Sequence, residues 1–409
     1  MSARVSPGSS TDADVAAAQI RVLVPDLPVA DALIEALRGI DARRWYTNGG
    51  ALSVEFERAL AALVARRSKV AQHCVTMSSG STALEIALAC LRLPASSRVL
   101  LPAYTFPATA NAVLRAGHVP VLCDICPDTW SLTPALARAA LARERFDAVL
   151  PVAVFGVPLP VEAWDAFGVE TGVPVIIDAA AALGAMGGAQ RAVIAYSLHA
   201  TKPLGIGEGG VVATASAAFA ARVRRMANHG FESGEVTTPG TNARLSEYAA
   251  AIGLAQLARW PCVFARRRAI WNRYRDGLAD VRGVSLQAGT DDPPAVLTVT
   301  TDVAAEAVAR SLARDSIETR RWYAPPLHRH RAYANVAHAV PAGDLPVTTH
   351  VAAHAIGLPF HTALSMDDVD RVVRALALAL ENRTRERARP AAIVSHTGTE
   401  ASAAERGDA

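Results

Sequence analysis

Lysine is almost missing from this 409-residue chain. Of its 41 basic Lys and Arg residues, only Lys69 and Lys202 are lysines. Aromatic residues are scarce as well, at 5% against 51% hydrophobic residues overall, so the core is built mainly from Ala, Val and Leu. Positive charge is not in excess. A formal net charge of +3 is close to balance and argues against a nucleic-acid or membrane surface as the main partner. No apolar run is long enough to span a bilayer, because the most apolar stretch, 148–161, is short and interrupted by three prolines. The N-terminus lacks the charged-then-apolar order of a signal peptide, and five cysteines are few for this length. A cytoplasmic protein is expected. Cys123 and Cys126 have the spacing of half a zinc or redox site, but no second pair completes it. They read as small apolar residues at a strand end, and no metal site is expected.

What is present alternates. Apolar segments near 70–77, 99–101, 119–122, 148–155 and 173–178 are separated by helical patterns at 83–93, 108–116, 134–145 and 162–171. Such alternation predicts β-α-β units and a mostly parallel sheet covered by helices. Past a glycine run the pattern continues with a strand at 211–214, a basic helix at 217–228 and a polar loop at 232–240. A long helical stretch then runs from 245 to 278, with a break expected at Pro261. Beyond residue 284 the expectation is a smaller α+β unit, with strands at 296–300, 317–323 and 355–358 and helices at 303–314 and 366–383. The expected organisation is a disordered lead (1–20), a large domain (21–283), a small C-terminal domain (284–384) and a disordered tail (385–409).

Four separated pieces carry chemistry. The 78–82 segment, Ser-Ser-Gly-Ser-Thr, joins a strand to a helix. That geometry offers backbone N–H groups and a positive dipole end to an anion, although Ser and Thr there also serve as plain helix caps. Tyr104–Phe106 is an aromatic turn. Asp178 closes an apolar strand, the position from which side chains in parallel sheets reach a ligand. Lys202 follows a Ser/His/Thr cluster and precedes four glycines and Glu208. A lysine amine can deprotonate and attack a carbonyl, which a guanidinium cannot, so covalent chemistry is one reason to keep it. Binding a phosphate in a glycine-rich turn is the other, and the spacing alone does not choose between them.

Phosphate site, flat-ring site, strand-end acid and lysine together suit pyridoxal phosphate. At this point the sequence resembles the DegT/DnrJ/StrS family of pyridoxal-phosphate-dependent sugar aminotransferases, from about Trp45 to Leu380. The resemblance rests on Ser79–Leu84, Pro102–Asn111, Asp178–Ala180, the Ser197-x-His-x-x-Lys202 pattern with 207–210, Asn228–Gly230, Gly240–Leu245 with Ala249–Gly253, Tyr323–His328 and Leu358–His361. It implies an α/β fold of the aspartate aminotransferase type (fold type I).

The resemblance also implies roles. Lys202 would carry the cofactor covalently and move the substrate proton, and Asp178 would keep the ring nitrogen protonated. Phe106 would stack on the ring, while Gly80, Ser81, Thr82 and Ser197 would hold the phosphate. Asn242, with Arg244 as second choice, would reach the neighbouring subunit's site in a homodimer with shared active sites. His199, His229, Tyr323 and His328 match substrate-side positions, though each could equally be a loop residue with an ordinary hydrogen bond. One departure stands out: where the family usually has Gln or His beside the cofactor's phenolic oxygen, this chain has Ala181. The implied activity is transfer of an amino group, with glutamate as donor, to a keto sugar on a nucleotide. A non-nucleotide ketone such as a cyclitol, a sugar dehydratase and a cofactor-binding sensor are the other readings, and the retained Lys202 counts against the dehydratase.

Overall fold

The computed structural model of the protein describes residues 19–338 and 345–388, and backbone only for 382–388. In chain order the first part comprises α1 (Ile34–Arg43), α2 (Ala51–Ser68), β1 (His73–Met77), α3 (Gly80–Ala89), β2 (Arg98–Pro102), α4 (Pro107–Arg115) and β3 (Val119–Cys123). There follow α5 (Pro134–Leu141), β4 (Ala148–Val149), α6 (Val161–Thr171), β5 (Ile176–Asp178), β6 (Val193–Ser197), β7 (Gly210–Thr214) and α7 (Ala217–Ala227). The chain continues with β8 (Phe231–Glu232), β9 (Glu235–Val236), α8 (Glu247–Leu278), β10 (Val284–Leu286), β11 (Thr298–Thr301) and α9 (Ala305–Arg314). It closes with β12 (Ala337–His338), α10 (Pro346–His354), β13 (Ala355–Gly357) and α11 (Met366–Ala388).

The central sheet is laid out as β1-β7-β6-β5 and β12-β3-β2-β4, joined through bridges Val149↔Val175 and Val152↔Asp178. Only β7 runs against its neighbours; the other pairings, β5/β6, β2/β4, β2/β3 and β12/β3, are parallel. Both faces are covered, which is why these strands are almost wholly apolar instead of alternating. One face packs Phe56, Leu60, Trp164 and Phe167 over Ile177 and Ile194, and the other packs α3, α4 and α7 over Val99, Leu101 and Val212. A second sheet, β10-β11-β13, is antiparallel and packs with α9 and α11 against Ile270, Trp271, Tyr274 and Leu278 from the far half of α8. Among the described residues no helix is long and apolar enough to cross a membrane.

Several expectations need correction. The helix is continuous through Pro261, which is exposed, so the single missing N–H hydrogen bond faces water and does not break it. Residues 317–323 form no strand; the chain there makes only the isolated bridges Ile20↔Ile317 and Arg320↔Gly357. The 232–240 loop holds part of a short hairpin, β8–β9, and the helix expected at 134–145 ends at Leu141. The expected lead and tail lie outside the described residues, apart from Gln19 and Ile20 and the end of α11. Ile20 is buried and pairs its backbone with Ser316 and Glu318.

The start of α2 depends on a distant carboxylate. Gly50 precedes the helix without a capping side chain. Glu247, wholly buried at the first turn of α8, instead accepts the backbone N–H of Leu52 (2.9 Å), the N–H of Ser53 (2.8 Å) and the Ser53 hydroxyl (2.6 Å). A Cβ on Gly50 would stand 2.5 Å from the Glu247 carboxyl carbon, so only glycine fits there. Charge and helix dipole favour the arrangement together. Glu247→Ala strands three donors in the interior and is expected to lower stability by about 3 kcal/mol, with Glu247→Gln intermediate. Urea unfolding followed by circular dichroism checks the order and the size.

Candidate active site

The site gathers at the carboxyl ends of β5 and β6. Asp178 ends β5 almost fully buried. One carboxylate oxygen accepts the Thr109 hydroxyl at 2.7 Å and the other accepts the Ala180 N–H at 3.1 Å. Thr109 is itself held by Thr105 at 2.8 Å, one helical turn away. Burial pushes the Asp178 pKa up, while these two hydrogen bonds and the positive charge of Lys202 pull it back. The result is a desolvated carboxyl group whose partners are few and fixed.

Lys202 sits in a loop tied at several points. Leu198 N–H donates to Gly209 O, Ala200 N–H to Gly207 O and Ile206 N–H to Leu198 O, each at 2.8 Å. Gly207 takes φ +100°, a region open to glycine. Gln256 of α8 donates to Gly205 O at 3.1 Å and so anchors the loop from outside. Removal from water lowers the Lys202 amine below its ordinary 10.5, against the opposing attraction of Asp178. A lysine moved this way holds more neutral, nucleophilic amine near neutral pH.

The anion cradle meets this pair through Ser197. Ser79 caps α3 and forms a reciprocal capping box with Thr82: the Ser79 hydroxyl accepts the Thr82 N–H (3.1 Å) and the Thr82 hydroxyl accepts the Ser79 N–H (3.1 Å). The cap and an anion site are therefore not alternatives. The Thr82 hydroxyl is engaged in the box, and the first-turn N–H groups of Gly80 and Ser81 stay at the helix mouth. A Cβ on Gly80 would lie 2.7 Å from the Ser197 Cβ, and one on Gly210 2.1 Å from Ser79 O. The two glycines let the helix mouth close onto the ends of β6 and β7. Ser197 N–H in turn donates to Ala180 O at 3.3 Å, linking cradle to acid.

Aromatic rings bound the remaining side. Phe106 caps α4 with 59% of its surface exposed, and its ring centroid is 6.5 Å from that of Tyr323. Tyr323 stacks on Phe155 (5.3 Å, 17° between planes) and meets Tyr104 edge-on (5.3 Å, 74°).

Gly80, Ser81, Phe106, Asp178, Ser197, Lys202 and Tyr323 are thus brought together. His199 lies beside them, its Nδ1 2.9 Å from the Thr201 hydroxyl and its Nε2 3.7 Å from Glu208. Asn242, Arg244 and His229 form a different cluster. Arg244 donates to Asn242 Oδ1 (2.8 Å) and Asn228 Oδ1 (2.7 Å), and its guanidinium is 3.5 Å from His229 Nε2. The backbone between them is fastened to its own subunit, since Ser78 N–H donates to Ala243 O at 2.8 Å. His328 is also apart, 3.4 Å from the Thr349 hydroxyl and edge-on to His338. Thr109, Phe155 and Glu247 carry no distinctive signal in the sequence, apart from the spacing of four between Thr105 and Thr109 in the 102–111 segment.

The arrangement fits pyridoxal phosphate: a desolvated carboxylate for a protonated ring nitrogen, a helix mouth for the phosphate, an amine of lowered basicity for the aldehyde and an aromatic wall for the ring. Similarity to known proteins agrees. Protein Rv3402c of Mycobacterium tuberculosis is 33% identical over 390 residues, 91% of this chain and 92% of that protein. The dTDP-3-amino-3,4,6-trideoxy-alpha-D-glucose transaminase of Streptomyces venezuelae is 33% identical over 74% of this chain and 82% of its own. The crystal structure of DesI in the presence of its TDP-sugar product superposes with TM-score 0.79 at 32% identity, covering 89% of this chain and 95% of that one.

Lys202 also gives the site a direct electrostatic readout. With two lysines in the chain, 13C-lysine labelling yields two side-chain resonances, and Lys202→Arg identifies one of them. In cofactor-free protein the Lys202 resonance is expected to titrate below 10.5, so more of its amine is neutral near pH 8 than an ordinary lysine would allow. A midpoint at or above 10.5 contradicts the desolvated site. The DegT/DnrJ/EryC1/StrS aminotransferase family matches residues 29–377, and with that span and this site the chain belongs to that family of pyridoxal-phosphate-dependent aminotransferases.

Proposed function

We propose that the enzyme moves an amino group from an amino acid, with L-glutamate as donor, to a keto sugar carried on a nucleotide, in the making of an amino sugar. The observation that carries this reading is the buried Asp178, fixed by Thr109 and Ala180 within the field of Lys202. One similar protein is named for a dTDP-linked amino sugar and another, DesI, has a TDP-sugar product, which favours the nucleotide-linked ketone over a free cyclitol.

Bound pyridoxal phosphate supplies an aldehyde that exchanges with amines and a ring that accepts electron density from carbon. With its amine neutral and freed, Lys202 would take the proton from the substrate carbon and deliver it to the carbon that the cofactor's aldehyde brings to the exchange. Asp178 would hold the proton on the ring nitrogen, with Thr109 and Ala180 fixing the carboxylate. Gly80, Ser81 and Ser197 would hold the phosphate, and Phe106 would cover a ring face. His199, through Glu208 and Thr201, stands at the substrate side of the lysine loop.

The test incubates loaded enzyme with glutamate and a panel of nucleotide-linked keto sugars and free ketones, following product mass and 2-oxoglutarate release. Amino-sugar product that disappears in Lys202→Ala supports the proposal. Transfer confined to free ketones overturns the nucleotide-linked reading.

We further propose a homodimer in which Asn242 and Arg244 serve the partner's site. Ala243 between them is buried and fastened to its own subunit, while Asn242 is exposed and Arg244 half-buried, so the segment is anchored by one residue and presents its neighbours outward. An amide or guanidinium donor would serve a phosphate there. Mixing inactive Lys202→Ala protein with inactive Asn242→Ala/Arg244→Ala protein, under conditions where mass spectrometry shows subunit exchange, is expected to restore activity in the hybrid dimers, whose one intact site carries both functional halves. Exchange without recovery rejects the shared site.

A further inference from the structure

The flank of Asp178 that carries Ala181 is poor in side-chain donors. Ala153, whose N–H donates to Asp178 O at 2.9 Å, is buried and offers none. Gly156 approaches so closely that its Cβ would be 2.6 Å from Ala181 O, and Ala180 and Ala181 complete the wall. Beside this small-residue wall packs a phenol ring from elsewhere in the chain. Tyr323 stacks on Phe155, the residue before Gly156, and is braced by Tyr104, whose own hydroxyl bonds Trp322 O at 2.5 Å. Among the described residues no hydrogen bond engages the Tyr323 hydroxyl. Burial, with the negative charge of Asp178, pushes the pKa of that phenol up, which keeps it in the protonated, donating form.

We infer that Tyr323 supplies the hydrogen bond to the cofactor's phenolic oxygen that Ala181 cannot. The inference rests on the reading of the site as one for pyridoxal phosphate. The physical consequence is specific. The phenolic oxygen, when anionic, holds the proton on the adjacent nitrogen of the lysine-linked cofactor. A donor from the protein draws that charge away and makes the proton easier to lose. Removing the donor makes it harder to lose, so the pH at which the visible absorbance changes must rise.

The experiment titrates the visible spectrum of cofactor-loaded wild type, Tyr323→Phe, and Tyr323→Phe/Ala181→Gln, without substrate. Phenylalanine keeps the ring stack on Phe155, and a thermal melt of each loaded protein checks the fold. The expected result is an upward shift of the midpoint by roughly one pH unit in Tyr323→Phe, largely reversed in the double variant, where Ala181→Gln brings an amide donor to the same oxygen. An unchanged midpoint in a folded, loaded Tyr323→Phe overturns the inference, as does an unchanged midpoint with a raised KM for the ketone, which places the phenol against substrate instead. A wild type that takes up no pyridoxal phosphate and shows no visible band overturns the cofactor reading itself. Should Tyr323→Phe fail to load, Ala181→Gln alone decides: a second donor is expected to lower the midpoint below wild type if the oxygen lies beside this wall, and no change overturns the placement.

Discussion

A carboxylate kept out of water organises this molecule. Asp178 is buried where a carboxylate's charge is disfavoured, and it is held by two hydrogen bonds and the field of one lysine. Taking such an anion from water costs several kcal/mol, which folding alone does not return unless a cation or a fixed set of donors answers it. Much of the surrounding construction answers it. Thr109 is positioned by Thr105, the turn after β5 folds back so that Ala180 N–H reaches the acid, and the lysine loop is stitched to itself and to α8. The site is therefore an electrostatic demand that a protonated heteroaromatic ring would meet.

Glycine placement follows from the same demand for closeness. The anion cradle, the ends of β6 and β7 and the acid lie within one small volume, and side chains at Gly80 or Gly210 would fill it with carbon. The N-terminal mouth of α3 can approach the sheet edge because those positions carry no Cβ. Gly50 does the same for the Glu247 carboxylate at a second site, away from the chemistry. In both cases the backbone gives up side-chain packing so that a polar group can reach helix N–H donors.

The alternation of strands and helices was legible because strands buried on both faces are continuous apolar runs, and the acid, the lysine loop and the cradle announce themselves by residue type at turn positions. What was not legible depended on tertiary partners. Thr109 is an ordinary helical threonine until Asp178 is brought across the sheet. Glu247 reads as a surface helix residue until α2 is docked against it. The β8–β9 hairpin has Phe231, Glu232, Glu235 and Val236 all exposed, so it carries no alternation to detect. Residues 317–323 look strand-like from their composition, yet the chain there finds partners only at single bridges. Pro261 misleads in the other direction, since a proline whose ring faces water interrupts a sequence pattern more than a helix.

The length of α8 has a mechanical consequence. Its 32 residues span about 48 Å, from the Glu247 carboxylate at the start of α2 to Leu278 in the core of the second sheet. Midway, Gln256 touches the lysine loop and Arg267 donates to the carbonyls of Pro294 and Ala295. One rigid rod thus carries an anchor, a contact with the chemistry and a grip on the far unit. Pivoting it by about five degrees around its anchored end displaces the other end by about 4 Å. It is a lever whose fulcrum is the buried glutamate, so a displacement of the second sheet would be transmitted along the helix to the lysine loop.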